Sequence, residues 1–413
     1  MYQKLPIEID RQFTLNFKSK IMKIQKLFFI FAAVAVILTA CETDKNSSEI
    51  NIEPKKATPN AEELILSNAQ KTVQLQDQLL DEAEHFLATM NIEVDDNFTQ
   101  KVQKSSKSED PAINAKLDSL MQVFESQRPM PVERLFDTDS IPSGLTENDR
   151  YIILGDDNMI DKADPSNALM LSNIVRVSKG MEPIEENSQM AKSIFKSRKG
   201  FTTSDDKRWP NGEVLYQFES NITDEERAFI LNCYNDWSTK TDGKVSFTEV
   251  KNSKWNEFCY KLGFKIFIKI KKETLGVISG VNAAGVANGC GKSTEAWIKY
   301  DPTWIKNYRT VVHEMGHKLG LQHEHQRPDR DDFLICNKTG SQYDKIEEKY
   351  AKFLWWTWKT KSATYSTTYD FMSIMHYTNH SLSNTFTDKN GTPIDTGGES
   401  ISDIDAEFVK SIY

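Results

Sequence analysis

One stretch constrains this chain more than any other: His313-Glu314-Met315-Gly316-His317-Lys318-Leu319-Gly320-Leu321-Gln322-His323-Glu324. His313 and His317 are four residues apart, so on a helix their side chains lie on one face, a turn apart. Two ring nitrogens placed in this way can share a tetrahedral Zn²⁺. Glu314 follows the first of them and can face the open side of such an ion, where a carboxylate holds and deprotonates a water. Gly320 can take the left-handed conformation that ends a helix and turns the chain back. The turn brings His323 round as a third ligand. A catalytic zinc keeps three protein ligands and one exchangeable position, and this stretch supplies that count. A bare HExxH arises by accident, but the longer pattern is far more selective, especially with a methionine turn downstream. Ser373-Ile374-Met375-His376-Tyr377 supplies that turn. The competing reading is solvated helix histidines, yet three of only seven histidines fall on this spacing.

Residues 313–331 read HEMGHKLGLQHEHQRPDRD, and residues 369–377 read YDFMSIMHY. Together they resemble the astacin family of metzincin zinc endopeptidases, whose pattern is HExxHxxGFxHExxRxDRD with SxMHY further on. Leu321 stands where the family usually has Phe, an apolar exchange that touches nothing catalytic. Trp209-Pro210-Asn211-Gly212-Glu213-Val214 is similar to the opening of such domains, and residues 402–413 resemble their closing helix. The resemblance covers residues 200–413, about the size of one domain.

The resemblance implies an α+β, metzincin-like protease domain. A small twisted sheet and the active-site helix would lie above the cleft, with a more irregular half below. It implies one catalytic Zn²⁺ on His313, His317 and His323, with Glu314 as the proton carrier. Tyr377 would ligate zinc at rest, then swing away and donate to the developing oxyanion. Met375 would form the apolar floor beneath the imidazoles, while His325 and His376 are not assigned to the metal. Glu324 would anchor the mature amino terminus through water; a merely solvated carboxylate is the alternative. Protein or peptide substrates follow from the family alone.

With 38% hydrophobic and 27% charged residues, the composition is that of an ordinary soluble protein. A net charge of −9 argues against a nucleic-acid partner, since phosphate binding needs clustered Lys and Arg. Short runs such as Lys269-Ile270-Lys271-Lys272 do not make such a cluster.

The front of the chain reads as an address. Lys23 and Lys26 precede a twelve-residue apolar run, 27–38, too short to span a bilayer and suited to a signal-peptide core. It ends in Leu38-Thr39-Ala40-Cys41, which resembles a bacterial lipobox. Residues 22–40 are therefore expected to be a lipoprotein signal, with Cys41 lipidated and residues 41–60 a polar tether. An ordinary cleaved signal with Cys41 incidental is the alternative. Residues 1–21 carry Glu8 and Asp10 and read as an upstream leader or a misassigned start before Met22. The expectation is an exported outer-membrane or cell-surface lipoprotein, held to the membrane through Cys41 or released by processing, and acting as a monomer.

Residues 61–199 read as a mainly helical propeptide. Leu64, Leu75, Leu79 and Phe86 have helical spacing, and 114–125 is a second helical stretch. Ile153-Leu154-Gly155-Asp156 resembles a degenerate form of the family's inhibitory segment, which would place Asp156 in the metal's open position. A surface turn is the alternative, because Gly-Asp-Asp-Asn is good turn chemistry. Lys196-Ser197-Arg198-Lys199 is an exposed basic run suited to processing, with the cut near Lys199–Gly200.

In the catalytic region, 214–218, 245–248 and 264–270 read as strands, and Thr223 opens a helix with a capping box. Residues 276–291 read as a glycine-rich loop. Residues 296–300 are either an edge strand that pairs with extended substrate or a plain core strand. The aromatic run 353–358 reads as core packing. Cys233, Cys259, Cys290 and Cys336 allow three disulfide pairings in an exported setting, and the sequence does not choose among them. Two other functions compete: a catalytically inactive surface lipoprotein with an astacin-like binding scaffold, and a zinc hydrolase of non-peptide amides.

Overall fold

The computed structural model describes residues 60–90, 110–136, 145–154, 158–184, 208–278, 281–327, 329–337, 368–379 and 385–413. The leader, the signal segment, Cys41, Asp156, the basic run 196–199 and the aromatic run 353–358 all lie outside them.

The front segment is built on a long helix, α1 (Ala61–Thr89), whose buried residues Ile65, Ala69, Val73, Leu79, Ala83 and Leu87 recur at helical spacing. Helix α2 (Pro111–Gln127) starts with Pro after Asp110, whose side chain accepts the Ala112 amide. Three short strands then form an antiparallel meander: β1 (Leu145–Glu147), β2 (Tyr151–Leu154) and β3 (Asn158–Asp161). Helix α3 (Ala168–Ser178) packs back on α1. Among the described residues this front segment is mainly helical, as expected, with a short three-stranded meander that the sequence did not announce. Its strands are three or four residues long, too short for alternation to reveal them.

The second half opens with β4 (Glu213–Phe218), whose alternating burial fits one covered face. Helix α4 (Asp224–Lys240) carries the expected capping box between Thr223 and Glu226. Strand β5 (Ser246–Glu249), helix α5 (Lys254–Lys261) and strand β6 (Ile268–Lys272) follow. Two further pieces, β7 (Val277–Ile278) and β8 (Val281–Asn282), pair only with each other. Next come β9 (Gly285–Ala287), β10 (Trp297–Tyr300) and helix α6 (Tyr308–Lys318). Below α6 lie a small ladder, β11 (Ile335–Cys336) with β12 (Phe386–Thr387), and the closing helix α7 (Asp403–Ile412). The α+β architecture with an irregular lower half is as expected.

One eight-stranded sheet runs β1-β2-β3-β9-β10-β6-β4-β5. One expectation changes: the stretch 276–291, read as a loop, contains strands β7, β8 and β9. Of the two readings of residues 296–300 the structure selects the core strand, since β10 is interior, flanked by β9 and β6. The strands of the second half end in β5 on one side and β9 on the other, and β3 pairs with β9 in parallel at Asn158 and Ala287. Trp237, Tyr234, Ile298, Tyr300, Val312 and Met315 form the core between the sheet, α4 and α6. Among the described residues, no helix is long and apolar enough to cross a membrane.

Candidate active site

Helix α6 is capped by Asn307, whose side chain accepts the Thr310 amide at 2.9 Å. Val311, Val312 and Met315 hold it in the core, and Trp237 donates its indole N–H to the Val312 carbonyl at 3.1 Å. The helix stops where the sequence required: Gly320 has φ +103°, and the Leu321 amide turns back to Gly316 O at 3.0 Å. The reversal brings His323 to His313 and His317. The three ring centroids are 5.0, 5.2 and 4.9 Å apart, and all three side chains are buried.

Each imidazole is oriented from behind. His313 Nδ1 lies 2.8 Å from Ile374 O, His317 Nδ1 2.9 Å from Leu321 O, and His323 Nδ1 2.8 Å from Gln326 Oε1. A carbonyl only accepts, so Nδ1 carries the proton and each Nε2 keeps its lone pair for the centre of the cluster. These second acceptors could not be named from sequence. The two backbone carbonyls leave no mark on it; Gln326, three residues past His323, is the only side chain that could have been found.

The donor set fits zinc. Among the described residues these three histidines form the cluster able to hold a metal ion, with ligand atoms all within 4.8 Å of one another. His313 Nε2 and His323 Nε2 are 3.2 Å apart. Two nitrogens each about 2.0–2.1 Å from one tetrahedral ion stand about 3.3–3.4 Å apart. Two lone pairs facing each other at that distance repel unless a cation lies between them.

Glu314 is buried between α6 and β9. Its neighbour is Gly285, where a Cβ would come within 2.8 Å of the Glu314 Oε1 and 2.7 Å of its Cγ. A glycine on the strand therefore makes room for the acid. Gly316 serves the methionine turn in the same way, because a Cβ there would meet Met375 Sδ at 2.6 Å. Met375 is thus packed directly against the histidine helix at Gly316.

The turn is pinned by a residue sequence reasoning missed. Asp405 of α7 accepts Ser373 Oγ at 2.7 Å and the Ile374 amide at 2.8 Å. Burial raises the Asp405 carboxyl above its usual range, against the pull of these two donors. Its signal was the capping box of Ser402 and Asp405, which also brings the carboxylate inward.

Tyr377 lies over His325, ring centroids 3.9 Å apart, and 5.0 Å from His323. His376 turns away from the cluster: Nε2 takes the Tyr369 hydroxyl at 2.9 Å and Nδ1 faces Tyr377 O at 2.8 Å. Burial, then the charges of Arg309 and Arg330, push its pKa down to about 3, so it stays neutral. Glu324 is half-buried, with its Oε1 on the Arg327 guanidinium at 2.8 Å and the Asp370 amide at 2.9 Å. Burial raises its pKa to about 7 despite that guanidinium. Its expected partner, a new amino terminus near 200, lies outside the described residues. No disulfide joins Cys233, Cys259, Cys290 and Cys336, so none of the three pairings forms. Burial raises Cys233 and Cys259 to about 12, which makes both inert.

A sheet over a helix carrying two of three convergent imidazoles, with a methionine turn beneath, is the arrangement of the metzincin class. The sequence model of the Astacin peptidase family matches residues 201–413, and this chain belongs to that family. It is 28% identical over 243 residues to the zinc metalloproteinase nas-14 of Caenorhabditis elegans, covering 56% of this chain and 42% of that protein. It is 26% identical over 260 residues to the zinc metalloproteinase nas-8 of Steinernema carpocapsae, covering 60% and 56%. The chain therefore spans about half the length of these curated relatives. Among solved structures, the high choriolytic enzyme 1 of Oryzias latipes, a hatching enzyme zinc-protease, matches 50% of this chain and 92% of its own. Identity there is 20% and the TM-score 0.37. Family members use one catalytic zinc ion, and the histidine cluster is the place for it here.

Proposed function

We propose that this chain is a zinc-dependent endopeptidase, made as an exported zymogen and acting on internal peptide bonds of protein substrates. The observation that carries the reading is the set of three Nδ1-anchored histidines whose Nε2 atoms converge beside a buried glutamate. When bound, the ion lowers the pKa of a coordinated water and polarises a carbonyl oxygen. Glu314 takes the proton of the attacking water and returns it to the leaving amine. Tyr377 donates its hydroxyl to the developing oxyanion. An extended substrate adds to the edge of β9, next to Glu314, by backbone hydrogen bonds. In the full chain β3 holds that edge, which supports latency. The role of Asp156 at the metal, Glu324 as amino-terminal anchor, and export through a signal at 22–40 with Cys41 lipidated belong to the same proposal, as does a monomeric state.

The inactive binding scaffold is the second reading. Glu314 weighs against it, because a structural zinc site has no use for that carboxylate and fills its fourth position with protein. Casein hydrolysis by the prosegment-free protein, with and without chelator, tests the choice. Activity lost to chelator and restored by zinc is expected, as is a Glu314→Ala variant that keeps zinc but does not cleave. Undiminished hydrolysis by that variant would rule the mechanism out.

A further inference from the structure

We infer that a chain cut between 185 and 207 keeps its prosegment, residues 60–184, as a noncovalent subunit that still covers β9. Activation then needs a second event that unfolds or degrades that subunit. Three independent contacts support this. The first is the continuous sheet, in which β1, β2 and β3 extend the catalytic strands through β9. The second is a shared apolar core. Trp255, Phe258 and Leu262 of the catalytic half are buried in one cluster with Leu79 of α1 and Leu117 and Phe124 of α2. Departure of the prosegment would expose all of these to water. The third is charge. Arg128 meets Glu295 at 3.1 Å, Lys261 meets Glu125 at 3.1 Å, and Lys254 meets Asp118 at 2.8 Å. Each pair joins the two halves.

The prosegment also has what a separate subunit needs. Its own core gathers Ile65, Leu135, Phe136, Ile152, Ile160 and Leu171. Inside it Glu147 accepts the Leu135 and Phe136 amides and pairs with Lys162 at 2.9 Å, both side chains fully buried. Nothing in these contacts depends on the covalent link. A simple tether or a loose inhibitory strand would have neither a core of its own nor a shared one.

The test uses the full chain with a site-specific protease sequence inserted between 185 and 207. After nicking, both fragments are expected to elute together in gel filtration at micromolar concentration. Casein hydrolysis should stay at least tenfold below that of a sample whose prosegment has been digested. Arg128→Ala, which removes the ion pair with Glu295 across the contact, should speed dissociation of the nicked complex roughly tenfold. Separation of the fragments on nicking overturns the inference, and so does a nicked complex as active as the digested sample. The activity arm alone rests on the endopeptidase reading. If the fragments stay together and neither sample cleaves casein, that reading fails and the retained subunit stands.

Discussion

The Ile374 amide donates to Oδ2 of Asp405 at 2.8 Å, while the carbonyl of the same residue receives His313 Nδ1 at 2.8 Å. One residue of the methionine turn thus links the closing helix to a zinc-binding imidazole. Metal affinity here depends on the acceptors that orient each ring as well as on the rings themselves. Asp405→Ala releases the Ser373 hydroxyl and the Ile374 amide together and lets the turn rotate. Zinc affinity, read by chelator competition, is expected to fall roughly 10–100-fold. Folding stability should drop by about 1–3 kcal/mol for the amide left buried without a partner. An unchanged zinc dissociation constant would show that the turn is held by other contacts.

Gly285 gives a cleaner separation of metal from chemistry. Its missing Cβ leaves the space that the Glu314 Cγ and Oε1 approach. Gly285→Ala forces the carboxylate to move, while the histidines and their backbone acceptors lie elsewhere. The variant is expected to retain zinc and lose turnover by about tenfold or more, at an overpacking cost of about 1–3 kcal/mol. Steady-state kinetics with metal analysis on one sample decides it. Lost zinc with preserved specific activity per bound ion would contradict this placement of the acid.

What was legible in the sequence follows from range. The α6 histidines, Gly320 and the Thr223 capping box are local, set by spacing within one or two turns, and each is where the pattern put it. The order of strands is not local. Residues 296–300 have the composition of an edge or a core strand equally, and only the docking of β9 on one side and β6 on the other makes β10 interior. The same holds for the ring acceptors. Every residue has a carbonyl, so nothing marked Ile374 and Leu321 until the fold brought them to His313 and His317. Helix α5 also went unread; with eight residues it is too short for a strong period, although its apolar face carries the contact with α1 and α2.

That contact should respond to pH. Asp164 lies on the front-segment side of a small cavity that Thr294 and Glu295 close from the family-matched half. Its carboxyl accepts the Ser166 amide at 2.8 Å. Burial raises its pKa from 3.8 to about 6, with Thr294 and the Ser166 amide opposing and Asp161 adding to the rise. Arg128, Lys261 and Glu295 also line the cavity, and Arg150 is paired to Asp161 at 2.6 Å. The folded pKa is above that of the unfolded chain, so the contribution of this carboxyl to stability is complete below about pH 4 and is lost as pH rises through 6. At 1.36 kcal/mol per unit, the loss approaches about 3 kcal/mol by neutral pH. Hydrogen exchange at the β3–β9 amides should therefore quicken between pH 5 and pH 7 beyond the intrinsic rate, and Asp164→Asn should flatten the change. Exchange corrected for intrinsic rate that is level across that range in the unmodified chain would mean that Asp164 is not the group weakening the dock.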